Sequence, residues 1–174
     1  MIIRFLSTIF LLLSVLQALC QEKMAGNASP DKVSWHFVCE KHVYSPSLEV
    51  NISRTEKGGL LELTQMVTNN SFYIGGTVFI YLNDNTFIVC TDKGMHQNTE
   101  GRAVSYYNLT VSEMNRLRKA GITSIRFSIK GIRGRFDSAV GNFTAINRKE
   151  YFKPHRDFYN TIETEKAINQ LYPN

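Results

Sequence analysis

The side chains best suited to chemistry are few and scattered along the chain. Four histidines, His36, His42, His96 and His155, stand at spacings that put no two on one helix face, so no metal site is predicted. Cys39 and Cys90 lack a positively charged helix start beside them that would lower a thiol pKa, which argues against a nucleophile. Glu49, Glu62 and Asp84 are the carboxylates that paired strands could bring together, but their spacing fixes no separation. The chain holds no Gly-x-Ser-x-Gly elbow and no His-Glu-x-x-His. Gly75-Gly76 is followed by Thr-Val-Phe-Ile-Tyr and not by a helix, so it reads as a bulge or a close backbone approach, not a phosphate cradle. No catalytic residue, cofactor or metal is predicted.

Charge is the sharper signal. The chain of 174 residues has 20 Lys and Arg against 15 Asp and Glu, net +5, unevenly placed. From Gln21 to Gly101 six basic residues face nine acidic ones, and from Arg102 to Asn174 thirteen face six. Arg116, Arg118 and Lys119 fall on a predicted helix, Arg126 and Lys130 on one face of the next strand, and Arg133 and Arg135 in the loop after it. Brought onto one surface, these residues would attract acidic polysaccharide or lipid head groups. Arg116, Arg118, Lys119, Arg126 and Lys130 are therefore the candidate anion contacts, with a solvated basic face as the plainer reading of the same residues. Phe72, Tyr73, Tyr81, Tyr106, Tyr107, Tyr151, Phe152, Phe158 and Tyr159 offer a second route: an outward ring among them would stack on a sugar or a protein partner, with packing on a helix or loop as the plainer reading. Nucleic acid is disfavoured, because no RNA- or DNA-binding motif is present.

The compartment follows from the first twenty residues. A short basic start, Met1 to Arg4, precedes an apolar run from Phe5 to Leu19 that Gln21, Glu22 and Lys23 end. That is the shape of a secretory signal peptide, and a span would need about 20 apolar residues. Ala18 and Cys20 occupy the small-residue positions before a cut at Gln21. A lipid-anchored form through Cys20 is the alternative, but Gln17 and Leu19 depart from a lipoprotein signal, which favours free export to the periplasm or beyond. Loss of Cys20 leaves Cys39 and Cys90 as a pair in an oxidising compartment. A bridge between them would close about 50 residues and contribute about 4 kcal/mol. Two buried free thiols are the alternative, and both remain open.

After the signal, residues 21–32 read as a flexible lead-in and residues 33–174 as one β-rich domain. Apolar residues alternate at Val33, Trp35, Phe37 and Cys39, again at Leu48, Val50 and Ile52, and Leu60 to Val67 forms a hairpin with the latter across Glu56-Lys57-Gly58-Gly59. Phe72 to Leu82 and Thr86 to Thr91 pair across Asn83-Asp84-Asn85. Asp92 to Arg102 is loop-like, and Val104 to Asn108 is a short strand. Thr110 and Glu113 make a capping box with Leu109 and Met114 as its hydrophobic staple, so a short helix starts there. Strands over Ile122 to Lys130 and Asn142 to Ile146 and a helix over Asn160 to Leu171 complete the chain. The prediction is an α+β fold: a predominantly antiparallel, meander-like sheet of about six to eight strands, with two short helices in the C-terminal half.

The signal ending in Cys-Gln-Glu-Lys, the hairpin Gly75 to Asp84, the run from Tyr107-Asn108-Leu109-Thr110 to Ile125-Arg126-Phe127, and Gly141-Asn142-Phe143-Thr144-Ala145 resemble small exported proteins of the Bacteroidota type. The resemblance implies a periplasmic or extracellular setting in a Gram-negative bacterium and carries no activity or site residue. The functional expectation is an exported, non-enzymatic binding or interaction module meeting an acidic glycan, a lipid head group or a protein through a basic face. The alternatives are a small hydrolase-type enzyme with a site of dispersed residues and a structural component of a cell-surface assembly.

Overall fold

A computed structural model describes residues 31–40, 45–131, 139–149 and 161–173. The period-2 alternation becomes strands throughout: β1 (Lys32–Cys39), β2 (Ser47–Thr55), β3 (Gly58–Met66), β4 (Tyr73–Ile74), β5 (Val78–Leu82), β6 (Phe87–Cys90), β7 (His96–Thr99), β8 (Arg102–Thr110), β9 (Ile122–Lys130) and β10 (Gly141–Ile146). Helix α1 (Val111–Leu117) follows β8, and α2 (Thr164–Gln170) closes the chain. All strand pairs are antiparallel, in the order β6-β5-β9-β10-β1-β2-β3-β8-β7, with β4 against β9.

The α+β, antiparallel architecture agrees with the sequence, while two features correct it. The strands number ten among the described residues, more than six to eight, because Gly75-Gly76 splits one predicted strand into β4 and β5 and the polar 92–102 stretch contains β7. The sheet is not a plain meander, since β8, paired with β7 on one side, passes over β4 to β6 to reach β3 on the other, and β9 inserts between β5 and β10.

Inward residues form one core. Phe37, Leu48, Val50, Ile52, Leu61, Leu63, Ile80, Ile125 and Phe127 are all fully buried. The sheet curls into a half-barrel, so its two halves touch: Ser105 Oγ on β8 donates to the Ile74 carbonyl at 2.5 Å, and Tyr107 Oη to the Gly76 carbonyl at 3.3 Å. Such twist and coil is what antiparallel strands adopt when one face must be dry.

Each helix has an identifiable local cause. Glu113 N donates to Thr110 Oγ1 at 3.2 Å while Thr110 N donates to Glu113 Oε2 at 2.7 Å, the reciprocal capping box. Met114 and Leu117 enter the core, and Gly59 makes room, since a Cβ there would lie 2.4 Å from the Met114 sulfur. Helix α2 is shorter than predicted: it begins at Thr164, and Asn160 lies outside the described residues. Thr164 Oγ1 accepts from Ile122 N at 2.7 Å, and Asn147 Nδ2 donates to the Ile122 and Ile162 carbonyls. These bonds fasten the C-terminal segment, with buried Ile168 and Leu171, to the body.

Candidate binding face

Cross-strand register places the predicted cations. On β9 the inward set is Ile125, Phe127 and Ile129, so Arg126 and Lys130 share the outer face. Arg126 stands opposite Thr144 on one side and Phe79 on the other, and Phe79 is opposite Val89. The neighbouring row runs Ile146, Ser124, Tyr81, Phe87. Phe87 is 51% exposed and Val89 44%. The Phe87 ring lies 6.2 Å from that of Phe79 and 6.1 Å from that of Tyr81, a tilted cluster on the sheet exterior. The hairpin that presents it turns through Asn83-Asp84-Asn85, with Asn85 at φ 63°, a left-handed position that asparagine tolerates. Asp84 receives the Thr86 N–H at 3.0 Å and its hydroxyl at 2.6 Å, bonds that hold its carboxyl below the ordinary value.

Beside the rings is a cleft of about 440 Å³ lined by Glu40, Tyr81, Arg126, Asn142, Phe143 and Thr144. It combines a guanidinium, an amide, a hydroxyl, a carboxylate and a phenol with an aromatic wall. Asn142 Oδ1 accepts from Ser128 Oγ at 2.6 Å, and Glu40 lies 4.0 Å from Arg148. A larger cavity, about 530 Å³, lies at the other end of the sheet between the β2–β3 turn and the start of α1, lined by Thr55, Glu56, Lys57, Gly59, Asn108, Leu109 and Thr110.

The five predicted anion contacts take different partners, and Arg116 and Arg126 lie at two sides of the same ring cluster. Arg116 reaches the β5–β6 hairpin, donating to Thr86 Oγ1 at 2.8 Å and to the Phe87 carbonyl at 3.0 Å. Arg118 packs α1 on α2: its guanidinium lies 4.4 Å from the Tyr172 ring centre, Nε donates to Asn169 Oδ1 at 2.9 Å, and Arg54 faces the same ring at 4.6 Å. Lys119 is exposed just past α1. Lys130 lies against Gly76, in the field of Asp92. Arg133 and Arg135 lie outside the described residues, as do His42 and His155. Of the five, Arg126 is the one that lines the cleft beside the aromatic cluster. The aromatic component of the face is legible in part: Tyr81 is one of nine aromatic residues the sequence offers, while Phe79 and Phe87 need the register.

The carboxylates resolve differently. Glu49 and Glu62 come together on the outer face of β2 and β3, both accepting from Asn51 Nδ2, at 3.1 and 2.8 Å. Arg102 pairs with Glu49 at 2.7 Å and Lys32 with Glu62 at 3.4 Å, and Ser34 Oγ bonds Asn51 Oδ1. Asp84 sits apart in the hairpin turn. Cys39 and Cys90 are free, buried thiols, Cys39 against Gln65 Oε1 at 3.7 Å, and they sit on strands that are not neighbours in the sheet. Burial pushes both thiols up to about 12; the Leu48 backbone opposes this at Cys39, and Glu113 adds to it at Cys90. His96 stacks on Tyr73 at 4.3 Å, and His36 is exposed on the outer face of β1. Among the described residues no group of His, Cys, Asp or Glu is placed to hold a metal ion, and no helix is long and apolar enough to cross a membrane.

No family model, curated protein or solved structure matches this chain.

Proposed function

We propose that the chain is an exported binding module that holds an acidic glycan on the outer face of β5, β6, β9 and β10, without catalysis. The observation that carries the reading is the cleft in which Arg126 stands among Tyr81, Asn142 and Thr144, next to exposed Phe87 and the partly buried Phe79 ring it meets. Aromatic rings cover the apolar C–H faces of pyranoses, amides and hydroxyls match their hydroxyl groups, and a guanidinium forks onto a carboxylate. Strands fix these groups rigidly, which lowers the ordering cost of binding. The signal-like Met1 to Cys20 segment supports export and the setting in which such glycans occur.

Retention of the mature protein on an immobilised uronate polysaccharide tests this. Tyr81→Ala and Arg126→Ala each weaken retention about tenfold or more, the loss expected of a ring or fork at the centre of a contact. Arg102→Ala, on the ion-paired part of the sheet, leaves it unchanged. Equal retention of all three variants would remove the face from the account.

A further inference from the structure

Resting on that reading of the face, we infer that it takes a run of linked sugars and not a single one: an acid sugar on Arg126, with the next sugars of the same chain laid across the strands on Phe79, Val89, Tyr81 and Phe87. The exterior of the β5–β6 hairpin is then a second subsite, apolar where the first is ionic.

The register sets the direction. Two rows of outward side chains cross the strands side by side, Thr144, Arg126, Phe79 and Val89 in one and Ile146, Ser124, Tyr81 and Phe87 in the other. Each row crosses three strand gaps, about 14 Å, the length of about three linked pyranoses. Tyr81 and Arg126 line the same cleft, so the two rows join there. A sugar whose carboxylate is forked on Arg126 therefore has its neighbour in the chain over the rings. Along β9 the next outward residue is Ser128, bonded to Asn142, a polar step where the step across the strands is apolar.

The rings are uncovered yet fixed. In β6 the inward Ile88 and Cys90 are buried, whereas the outward Phe87 and Val89 are about half exposed. The Phe87 ring meets those of Phe79 and Tyr81 at 6.2 and 6.1 Å, its carbonyl accepts from Arg116 Nη2 at 3.0 Å, and the turn before it is tied by the bonds from Thr86 to Asp84. A ring held in this way and open on its outer side loses little freedom when a sugar stacks on it.

Charge frames the rings. Arg126 stands on one side and Arg116, in the field of Asp84, on the other, while Glu40, which also lines the cleft, lies 4.0 Å from Arg148. An acidic chain that follows the rows thus has a guanidinium on either side of the apolar stretch it covers.

Nuclear magnetic resonance titration of the mature protein with glucuronate and with linear β-1,4-linked glucuronate oligosaccharides of four and six sugars tests this. Affinity is expected to rise about tenfold or more from the monosaccharide to the tetrasaccharide and to change little from there to the hexasaccharide, once the rows are covered. Most of that gain survives high salt, because apolar contact is not screened. Phe87→Ala erases most of the gain and leaves glucuronate affinity at the parent value, Phe87→Tyr keeps the gain, and Arg126→Ala weakens glucuronate and oligosaccharides alike. If the hexasaccharide binds no tighter than glucuronate, or if Phe87→Ala leaves the oligosaccharide affinities unchanged, the second subsite falls, while binding that still depends on Arg126 leaves the acidic-glycan reading standing. If neither glucuronate nor the hexasaccharide binds, both fall.

Discussion

The two outer faces of the curled sheet are built from strands of the same kind and end in opposite states. On β1, β2, β3 and β8, every charged group named above has an answer within reach: Arg102 meets Glu49, Lys32 meets Glu62, and the Asn51 amide joins the two carboxylates while remaining only 1% exposed. On β5, β6, β9 and β10, half-exposed Phe87 and the partly buried rings of Phe79 and Tyr81 stand around Arg126 and a cleft. Strand propensity and core packing do not require that difference, since both inner faces are equally dry. A face saturated with its own hydrogen bonds holds itself together and has little left to offer a partner, whereas an apolar surface with an arginine at its centre gains by being covered.

The strongest test of that contrast is Asn51→Ala. The substitution removes the amide that both Glu49 and Glu62 accept from and leaves two half-buried carboxylates facing each other without a donor between them. A destabilisation of about 2–3 kcal/mol is expected, read as a lower urea midpoint with unchanged slope. Asn142→Ala, the matching amide on the open face, costs less than about 0.5 kcal/mol, because its one bond is to an exposed serine. Equal losses at the two positions would mean that the faces do not differ in how they are held.

A second test sits at the seam where β4 and β5 meet β8. Asp92 accepts from Gly76 N at 2.6 Å and Gly94 N at 2.7 Å. Its partial burial alone would raise its carboxyl, but those two amides, with His96 and Lys130, hold it below the ordinary value. A carboxyl lowered on folding contributes stability that is present above its unfolded pKa of about 3.9 and is lost as pH falls through the folded value. Asp92→Asn is expected to cost about 1–2 kcal/mol at pH 7 and to flatten the fall in stability below about pH 4. An acid limb of the pH–stability curve unchanged by the substitution would assign that limb to other carboxylates.

Much of the framework was legible because local chemistry and tertiary context agree in it. The alternation of Val33, Trp35, Phe37 and Cys39 and the Thr110–Glu113 box each specify one element, and the structure contains both. What escaped was everything decided by register or partner. The polar sequence His96 to Thr99 carries no period, yet it pairs with β8 because that edge needs donors and acceptors, not apolar side chains. The five basic residues are close in sequence but take different partners in space. The turn from α1 into β9 sends Arg118 towards Tyr172 and Arg126 onto the sheet, while Arg116 covers the free edge of β6. Sequence distance reports neither which side of a strand faces a cleft nor which carbonyl is open to a guanidinium. The candidate site was accordingly legible as residue types, basic side chains and separately aromatic ones, and not as a place.

The smallest expected effects are the most discriminating, because they should invert between two measurements. Arg102 is the cation of the saturated face: Arg102→Ala breaks a half-exposed ion pair at 2.7 Å, for which about 0.5 kcal/mol of lost stability is expected, less as salt is raised. Arg126 lies in the open face, where Glu40 is the one carboxylate lining its cleft among the described residues and pairs with Arg148, so Arg126→Ala leaves the stability read from urea unfolding within about 0.3 kcal/mol of the parent. In glycan retention the ranking reverses, with Arg102→Ala neutral and Arg126→Ala severe. A side chain that contributes nothing to the fold, yet whose removal abolishes binding, has its position explained by the ligand alone. The same ranking in both assays would make Arg126 one more structural cation and would reduce the two faces to variants of a single solvated surface.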